Sequence, residues 1–268
     1  MMPIAFSTIS CPSFTVRQIA EAARRYGYDG VELYALEGQR LTPDVLEARL
    51  DEVRRDLAGV PIVSINSWGQ LSSPDPAERS TQERQIARTF ELATELGSPL
   101  VKTFGGELPG GRDVDEVLDY MAESLRRLAR RAEALGVILV VETHDGFCRG
   151  ADLAALLARV DEPRIAALWD VHHPYRRGES VAETDRLIGH RVAHVHVKDA
   201  VRVEDGWCFV LLGEGELPVP EMLSCLAARG FSGSVSVDWE LMWHPEIAGP
   251  EEALPHFAAA LRALPVAA

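Results

Sequence analysis

Cysteine is scarce in this chain, and the few cysteines form no recognisable pattern. No two of them make a Cys-X-X-Cys pair, and they are widely scattered: Cys11, Cys148, Cys208 and Cys225. This spacing argues against a disulfide framework and against a zinc site built from thiolates. Isolated cysteines of this kind are more often small apolar filling residues than reactive groups.

Long apolar runs are also missing. No stretch of the chain approaches the roughly 18 to 20 consecutive apolar residues that a membrane-spanning helix requires. Residues 1–7 lack the basic start and the long apolar core of a signal peptide. Together with the missing disulfide framework, these features predict a cytoplasmic protein with no membrane partner.

Positive charge is in deficit. The chain has 27 Lys and Arg against 41 Asp and Glu, which gives a formal net charge of −14. Such an acidic surface repels a phosphate backbone unless its basic residues are concentrated on one face. They are instead interleaved with acids, as in residues 126–133, a pattern typical of a solvated helix face. We therefore expect no nucleic-acid partner.

Short apolar runs alternate eight times with longer segments of helical period. No low-complexity linker interrupts them, so the pattern predicts an α/β protein with a single (β/α)8 TIM barrel over residues 1–268. An open, doubly wound sheet is the alternative. However, the turn at residues 11–14, CysProSerPhe, lacks the glycine-rich nucleotide fingerprint that follows the first strand of many such sheets.

Local signals mark several boundaries within this pattern. Thr42 followed by Pro43 predicts the start of a helix, and Gly97 and Gly136 predict the ends of two others. A longer loop after the seventh strand, about residues 200–218, is predicted to contain a small hairpin that helps to shape the site.

Each of the last four apolar runs ends in a side chain of a type that can bind a metal ion. These runs cover residues 137–144, 165–173, 192–199 and 234–240, and the candidate ligands are Glu142, Asp170, His196 and Glu240. The carboxyl ends of barrel strands meet at one face, so these side chains are expected to converge. Three carboxylates and one imidazole suit Mn²⁺, Mg²⁺ or Co²⁺, with Zn²⁺ as a further candidate.

An ion pair with Lys102 is the alternative role for Glu142 when that residue is considered alone. The other acids have no equal supply of basic residues at neighbouring strand ends. Three acids in one pocket without a cation would repel one another strongly, so their joint occurrence favours a metal site. Lys102 is retained as a candidate substrate-binding residue.

Further polar and aromatic side chains lie beside the candidate ligands. His194 is on the same side of its strand as His196, and we expect it to lie one layer deeper. His173, three residues after Asp170, is predicted to project from a loop as a hydrogen-bonding or proton-shuttling group. Lys198 would polarise a substrate oxygen or pair with Asp170. Trp68 is a candidate for stacking on substrate, with packing as the alternative.

The motifs around these residues resemble those of the sugar phosphate isomerase/epimerase-like family, the xylose-isomerase-like TIM barrels. The resemblance spans residues 27–246, and its specific motifs are ValGluThrHis at Glu142, TrpAspValHisHis at Asp170, HisValHisValLysAsp at His196, GlyGluGlyGluLeuPro at residues 213–218 and AspTrpGlu at Glu240. It implies that these four ligands bind one divalent metal, often Mn²⁺, and that His173 contacts substrate.

The resemblance implies an isomerase or epimerase of a ketose, keto-polyol or related sugar derivative, with a small carbohydrate as partner. In ketose 3-epimerases of the family, two metal-binding glutamates move a proton through an enediolate, roles that Glu142 and Glu240 would take. An inosose dehydratase-like lyase is the alternative within the same superfamily. Relatives are usually dimers or tetramers, which implies a homodimer or homotetramer.

The chain departs from the ketose 3-epimerase pattern in two places. Val197–Lys198–Asp199 replaces a Gly-Glu pair, and Cys148 replaces a second glutamate. The first departure is nearer to inosose dehydratase-like members. Arg202 matches an arginine six residues after the ligand histidine, which implies a contact with substrate. An endonuclease IV-like enzyme would need more histidine ligands and a basic groove, and a non-catalytic sugar sensor would not need a complete ligand set.

Overall fold

The structure, a computed structural model, describes residues 2–265. Eight parallel strands close into a barrel in which each strand pairs with the next along the chain and the last pairs with the first. The barrel strands are β1 (Ile4–Ser7), β2 (Gly30–Leu33), β3 (Ile62–Gln70), β4 (Leu100–Phe104), β5 (Ile138–Glu142), β6 (Ile165–Asp170), β7 (Val192–Val197) and β8 (Val235–Val237). The predicted TIM barrel is confirmed, and the closed strand order excludes the open sheet.

Helices surround the barrel. The α-helices of residues 2–265 are α1 (Val16–Tyr26), α2 (Pro43–Ala48), α3 (Leu50–Asp56), α4 (Pro76–Leu96), α5 (Val114–Leu135), α6 (Gly150–Val160), α7 (His172–Arg176), α8 (Val181–Ile188), α9 (Val219–Ala228) and α10 (Pro250–Ala263). Within the same residues, none of the helices is long and apolar enough to cross a membrane.

Helix ends follow the local signals of the sequence. The Thr42 hydroxyl accepts a hydrogen bond from the Val45 N–H at 3.4 Å, so α2 begins at Pro43 as predicted. Gly97 and Gly136 adopt left-handed φ values of 71° and 72° and end α4 and α5. Residues with a Cβ atom disfavour this conformation, which explains why glycine marks both ends.

The barrel interior is apolar at its amino-terminal end and polar at its carboxyl-terminal end. The apolar layer consists of Leu100, Val140, Ala166 and Leu168, with Ile138 and Ala193 packed against it. Buried polar side chains lie on the same strands nearer the carboxyl ends, among them Lys102, Glu142, Asp170 and His196. The apolar layer therefore closes one end of the barrel, and the polar end is left for chemistry.

A two-stranded hairpin occupies the long loop after β7. Residues Asp199–Val203 pair antiparallel with Gly206–Val210. Trp207 and Phe209 pack edge-on against the His172 ring, with centroid distances of 5.1 and 5.7 Å. The hairpin therefore lies against α7, beside the polar end of the barrel.

One buried carboxylate fixes both ends of this loop. The Asp199 side chain accepts hydrogen bonds from backbone N–H groups at 2.8 to 3.1 Å, donated by Ala200, Gly213, Gly215 and Leu217. A Cβ atom at Gly215 would lie only 2.1 Å from Asp199 Oδ1, so the chain needs glycine at that position. Asp199 thereby determines the path of residues 199–217.

We expect Asp199→Ala to lower the free energy of unfolding by about 2–4 kcal/mol, because it leaves buried N–H groups without an acceptor. Asp199→Asn retains one amide oxygen and should cost less. Urea unfolding of both variants measures the difference. A loss below about 0.5 kcal/mol for the alanine variant, the range of ordinary surface changes, would contradict this role.

Candidate metal and catalytic site

Four buried side chains from consecutive strands meet at the carboxyl end of the barrel. Glu142 ends β5, Asp170 ends β6, His196 lies near the end of β7, and Asp238 directly follows β8. One ligand-type atom from each lies within 4.8 Å of those of the other three. The group can therefore offer three carboxylate oxygens and one imidazole nitrogen to a single ion.

The fourth member of this group is Asp238, whereas the sequence had favoured Glu240. Strand β8 ends at Val237, three residues earlier than the apolar run suggests. The chain then turns, and the Glu240 carbonyl accepts hydrogen bonds from the N–H groups of Trp243 and His244. Glu240 is consequently displaced outward, its side chain is 19% exposed, and it lies outside the group.

Lys102 pairs with Glu142 at the β4–β5 side of the site. Its ammonium lies 2.8 Å from Glu142 Oε2, and both side chains are only 1% exposed. It also lies over the rings of Tyr34 and Phe104, at 4.4 and 4.3 Å from their centroids. The ion pair with Lys102 that was the alternative role for Glu142 is thus present, and it lies within the converging set of Glu142, Asp170, His196 and Asp238, called the acidic group below.

Lys198 occupies the other side of the site. Its ammonium lies 3.0 Å from Asp170 Oδ2 and 2.9 Å from Asp238 Oδ2. It also pairs with Glu240, so it joins the displaced glutamate to the group. Of the two roles expected for Lys198, the structure contains the pairing with Asp170.

The pKa values of these groups reflect the competition between burial and pairing. Burial raises the pKa of Asp170 despite the nearby Lys198. Burial also acts to raise the pKa of Glu142, but the Lys102 ammonium and His196 hold that pKa well below its usual range. For Lys198, burial is outweighed by Asp170 and Asp238, which raise its pKa well above normal.

The donor set fits a divalent cation. Within residues 2–265, Asp238 Oδ1 is buried without a hydrogen-bond partner. Two lysine ammonium groups face five carboxylates, which leaves two negative charges uncompensated with His196 protonated and three with it neutral; the acids are Glu32, Glu142, Asp170, Asp238 and Glu240. A divalent ion would remove most of that excess.

Glu32 is a site residue that the sequence analysis missed. It is fully buried on β2, and its Oε2 atom lies 2.8 Å from His194 Nε2 and 2.9 Å from His196 Nε2. Nδ1 of His196 faces a second carboxylate, 2.9 Å from Glu142 Oε1. Because an ionised carboxylate can only accept, both ring nitrogens carry hydrogen unless a cation takes the place of the proton on Nδ1. This carboxylate–histidine arrangement is typical of metal sites.

The available signal for Glu32 was an acid inside the short apolar segment GlyValGluLeu of β2. His194 lies one pleat below His196, since it pairs with Leu168 whereas His196 pairs with Asp170. Burial opposes protonation of His196, but Glu32 and Asp238 raise its pKa well above normal. A bound cation would compete with that proton.

His173 belongs to the short helix α7 rather than to a loop, because the chain makes a helical turn directly after Asp170. Its Nε2 lies 3.9 Å from Asp170 Oδ1, and its ring packs on His144 at 4.4 Å. Neither ring nitrogen has a hydrogen-bond partner among the described residues. Burial and the neighbouring His144 lower the pKa of His173 well below normal, so its imidazole is neutral.

A pocket of about 390 Å³ opens at the mouth of the barrel. It is lined by aromatic and polar side chains: Tyr34, Arg40, Trp68, Gln70, Gln82, Phe104, His144, Asp145 and Trp243. Trp68 is thus placed where substrate could reach it. A larger cavity of about 930 Å³ lies at the opposite end of the barrel, away from the acidic group.

Arg202 is not brought to the site. It is exposed on the hairpin, and its backbone N–H donates to Glu216 Oε1 at 2.8 Å. Within residues 2–265, no contact joins its side chain to the acidic group. The hairpin carries Arg202 outward, which spacing along the chain cannot show.

The family model for the xylose isomerase-like TIM barrel matches residues 20–264. The chain belongs to this family. It is 22% identical over 237 residues to fructoselysine 3-epimerase of Escherichia coli O157:H7, covering 84% of this chain and 85% of that protein. It is also 25% identical over 156 residues to an inosose dehydratase of Clostridium botulinum, with 52% of this chain and 51% of that protein covered.

Solved structures share this architecture. A protein named IOLI, whose crystal structure contains a bound zinc atom, superposes with a TM-score of 0.83 at 18% identity, covering 97% of this chain and 96% of that one. At this identity the likeness shows the fold alone. Because its curated relatives are epimerases and isomerases with some dehydratases, this member of the xylose isomerase-like family is an enzyme.

We expect Glu32→Gln to weaken binding of a divalent metal by about 10- to 100-fold, because a neutral amide holds the His196 ring less firmly. Isothermal titration calorimetry with Mn²⁺ measures the change, and circular dichroism checks the fold. Glu37→Gln makes the same substitution at an exposed residue that pairs with Arg49, and should leave affinity unaltered. Equal affinity in wild type and Glu32→Gln would refute the role of Glu32.

Proposed function

We propose that this enzyme is a divalent-metal-dependent isomerase or epimerase of a ketose, keto-polyol or related sugar derivative. The observation that carries the proposal is the convergence of Glu142, Asp170, His196 and Asp238 within 4.8 Å at the mouth of the barrel. Fructoselysine 3-epimerase, a relative across most of the chain, supports this class of substrate.

The four converging residues would hold the metal, with Asp238 in the position that the sequence had assigned to Glu240. A bound divalent cation would supply positive charge that stabilises an enediolate as it forms. Mn²⁺ is our first choice, with Mg²⁺, Co²⁺ and Zn²⁺ as alternatives, because the donors are mostly oxygen. The zinc of the IOLI structure supports a divalent ion in this fold.

Glu142 and Glu240 are proposed to transfer the proton. They belong to opposite ends of the arc from β5 to β8, so a substrate between them would present one face to each. Each pairs with a lysine, Glu142 with Lys102 and Glu240 with Lys198. Lys198 is shared with Asp170 and Asp238. The Lys102 ammonium lowers the pKa of Glu142 and so favours the carboxylate form that accepts a proton. Epimerisation requires a base on one face of the carbon atom and an acid on the other, so one of the two groups would take the proton as a carboxylate and the other, in its protonated form, would return one from the opposite face.

Substrate is proposed to be held by groups around this pair. Neutral His173 has free ring nitrogens for hydroxyl groups, and Trp68 offers an aromatic surface at the mouth. Lys198 and Lys102 carry positive charge that would attract a carbonyl or enediolate oxygen. Arg202 is omitted because it lies on the exposed hairpin.

A lyase of the inosose dehydratase type is the second candidate. It is supported by the relative of that name over about half of the chain and by Lys198, which follows His196 in place of a Gly-Glu pair. Both reactions begin with removal of a proton beside a carbonyl, and they differ in whether water is then lost.

We further propose that the protein acts on small carbohydrates as a homodimer or homotetramer, without nucleic-acid or membrane partners. The net charge of −14 supports the absence of a nucleic-acid partner, because it opposes binding to a phosphate backbone. Light scattering coupled to size exclusion determines the number of subunits.

Incubation of the Mn²⁺-loaded enzyme with a panel of ketoses and keto-polyols in D₂O tests the reaction. We expect deuterium to enter a product of otherwise unchanged formula, and chelation by EDTA to stop the exchange. Mass spectrometry of the products separates the two candidates. Loss of water would establish the lyase, and absence of both exchange and water loss across the panel would contradict both.

Asp238→Asn and Glu240→Gln are expected to have different effects. Asp238→Asn should weaken Mn²⁺ binding at least tenfold, because it removes a charged ligand. Glu240→Gln should retain metal but slow deuterium exchange by about 100-fold or more, the usual contribution of a proton-transferring group. Elemental analysis and exchange rates measure the two effects. The reverse result, with metal lost only in Glu240→Gln, would restore the assignment made from the sequence.

A further inference from the structure

The mouth pocket adjoins the proposed catalytic site and extends beyond it. Its inner wall includes Tyr34 and Phe104, and both rings contact the Lys102 ammonium that pairs with Glu142. A sugar whose reacting carbon lies beside Glu142 would therefore extend its far end into this pocket. The side chains that line the pocket then determine which chemical group the enzyme accepts at that end of the sugar.

An irregular stretch of β3 fixes one wall of the pocket. The register of β3 against β4 shifts between Asn66 and Gln70, and Trp68 within this bulge has a φ of 58°, which is rare for a residue other than glycine. The Asn66 side chain accepts the Trp68 N–H at 2.9 Å, and the indole N–H donates to the Tyr34 carbonyl at 3.2 Å. Bulges and left-handed residues often aim side chains at functional sites.

Arg40 lies against this wall with its charge unpaired. Its guanidinium carbon is 4.6 Å from the Trp68 ring centroid and 5.4 Å from that of Trp243. Among residues 2–265, its guanidinium has no hydrogen-bond or ion-pair partner. The pocket's one carboxylate, Asp145, is bound to His144 at 2.7 Å and does not neutralise Arg40.

The chemistry of Arg40 fits an oxyanion. A guanidinium is planar, so contact of its face with aromatic rings leaves the N–H groups at its edge free to donate. The fork that these groups form matches a carboxylate or a phosphate. The protein as a whole is strongly acidic and would repel such a group, so a local cation is needed to bind it. A neutral sugar would make no use of this charge.

We propose that the mouth pocket binds an anionic substituent, a carboxylate or a phosphate, at the far end of the substrate, and that Arg40 recognises it. The inference rests on the proposed function, because it assigns the substrate class of the same site. The competing role for Arg40 is packing between the indoles, which does not require its charge.

Binding measurements on the Mn²⁺-loaded enzyme separate these roles without requiring turnover. The probes are D-fructose, D-fructuronate and D-fructose 6-phosphate, titrated by calorimetry. We expect at least one anionic sugar to bind about tenfold or more tightly than fructose, with an advantage that falls as NaCl is raised. The anionic sugar with the larger gain in affinity over fructose identifies the substituent as a carboxylate or a phosphate.

Arg40→Gln should abolish the advantage of the anionic sugar and leave the affinity for fructose unchanged. Arg40→Lys should retain part of it, because the charge remains but the fork is lost. Arg202→Gln removes an exposed arginine outside the pocket and should change nothing. The proposal is overturned if wild type binds neither anionic sugar more tightly than fructose, or if Arg40→Gln lowers the affinity for fructose as much as the affinity for the anionic sugars. Failure of the proposed function would instead appear as absent deuterium exchange.

Discussion

The site depends on an excess of negative charge that is buried at the mouth of the barrel. Two ammonium groups, of Lys102 and Lys198, lie among five carboxylates in a region largely shielded from water. Such an excess is costly unless protons or a cation compensate it. It explains why two lysines are buried and why the pKa of His196 is raised. The same charge is the physical basis of the proposed divalent metal site.

The barrel topology brings these charged side chains together at one end of the fold. Parallel strands bring their carboxyl ends to one face, so residues far apart along the chain become neighbours. Apolar layers at the other end close the interior, and the hairpin anchored by Asp199 packs beside the site. Sequence relatives of the chain are named as epimerases and as dehydratases, so membership of the family does not by itself fix the outcome of the reaction.

Much of the fold follows from local patterns. Eight apolar runs with helical segments between them identify the barrel, and a capping threonine and helix-ending glycines locate helix ends within a few residues. Three of the four residues that converge, Glu142, Asp170 and His196, are recognisable because each is a metal-type ligand near the end of a buried strand. These features depend on the order of residues along one element, so the sequence by itself determined them.

Only the tertiary structure decided between Asp238 and Glu240. Both follow β8 within three residues and pair with Lys198, and the point where the strand ends sets which of them is deep enough to meet Glu142, Asp170 and His196. Glu32 reaches His196 across 164 residues, a contact that no local pattern encodes. The exposed position of Arg202 and the stacked Arg40 likewise depend on how loops pack. How deeply a side chain lies and which distant residues it contacts are set by the closed barrel, because strands far apart along the chain become neighbours only when the barrel forms.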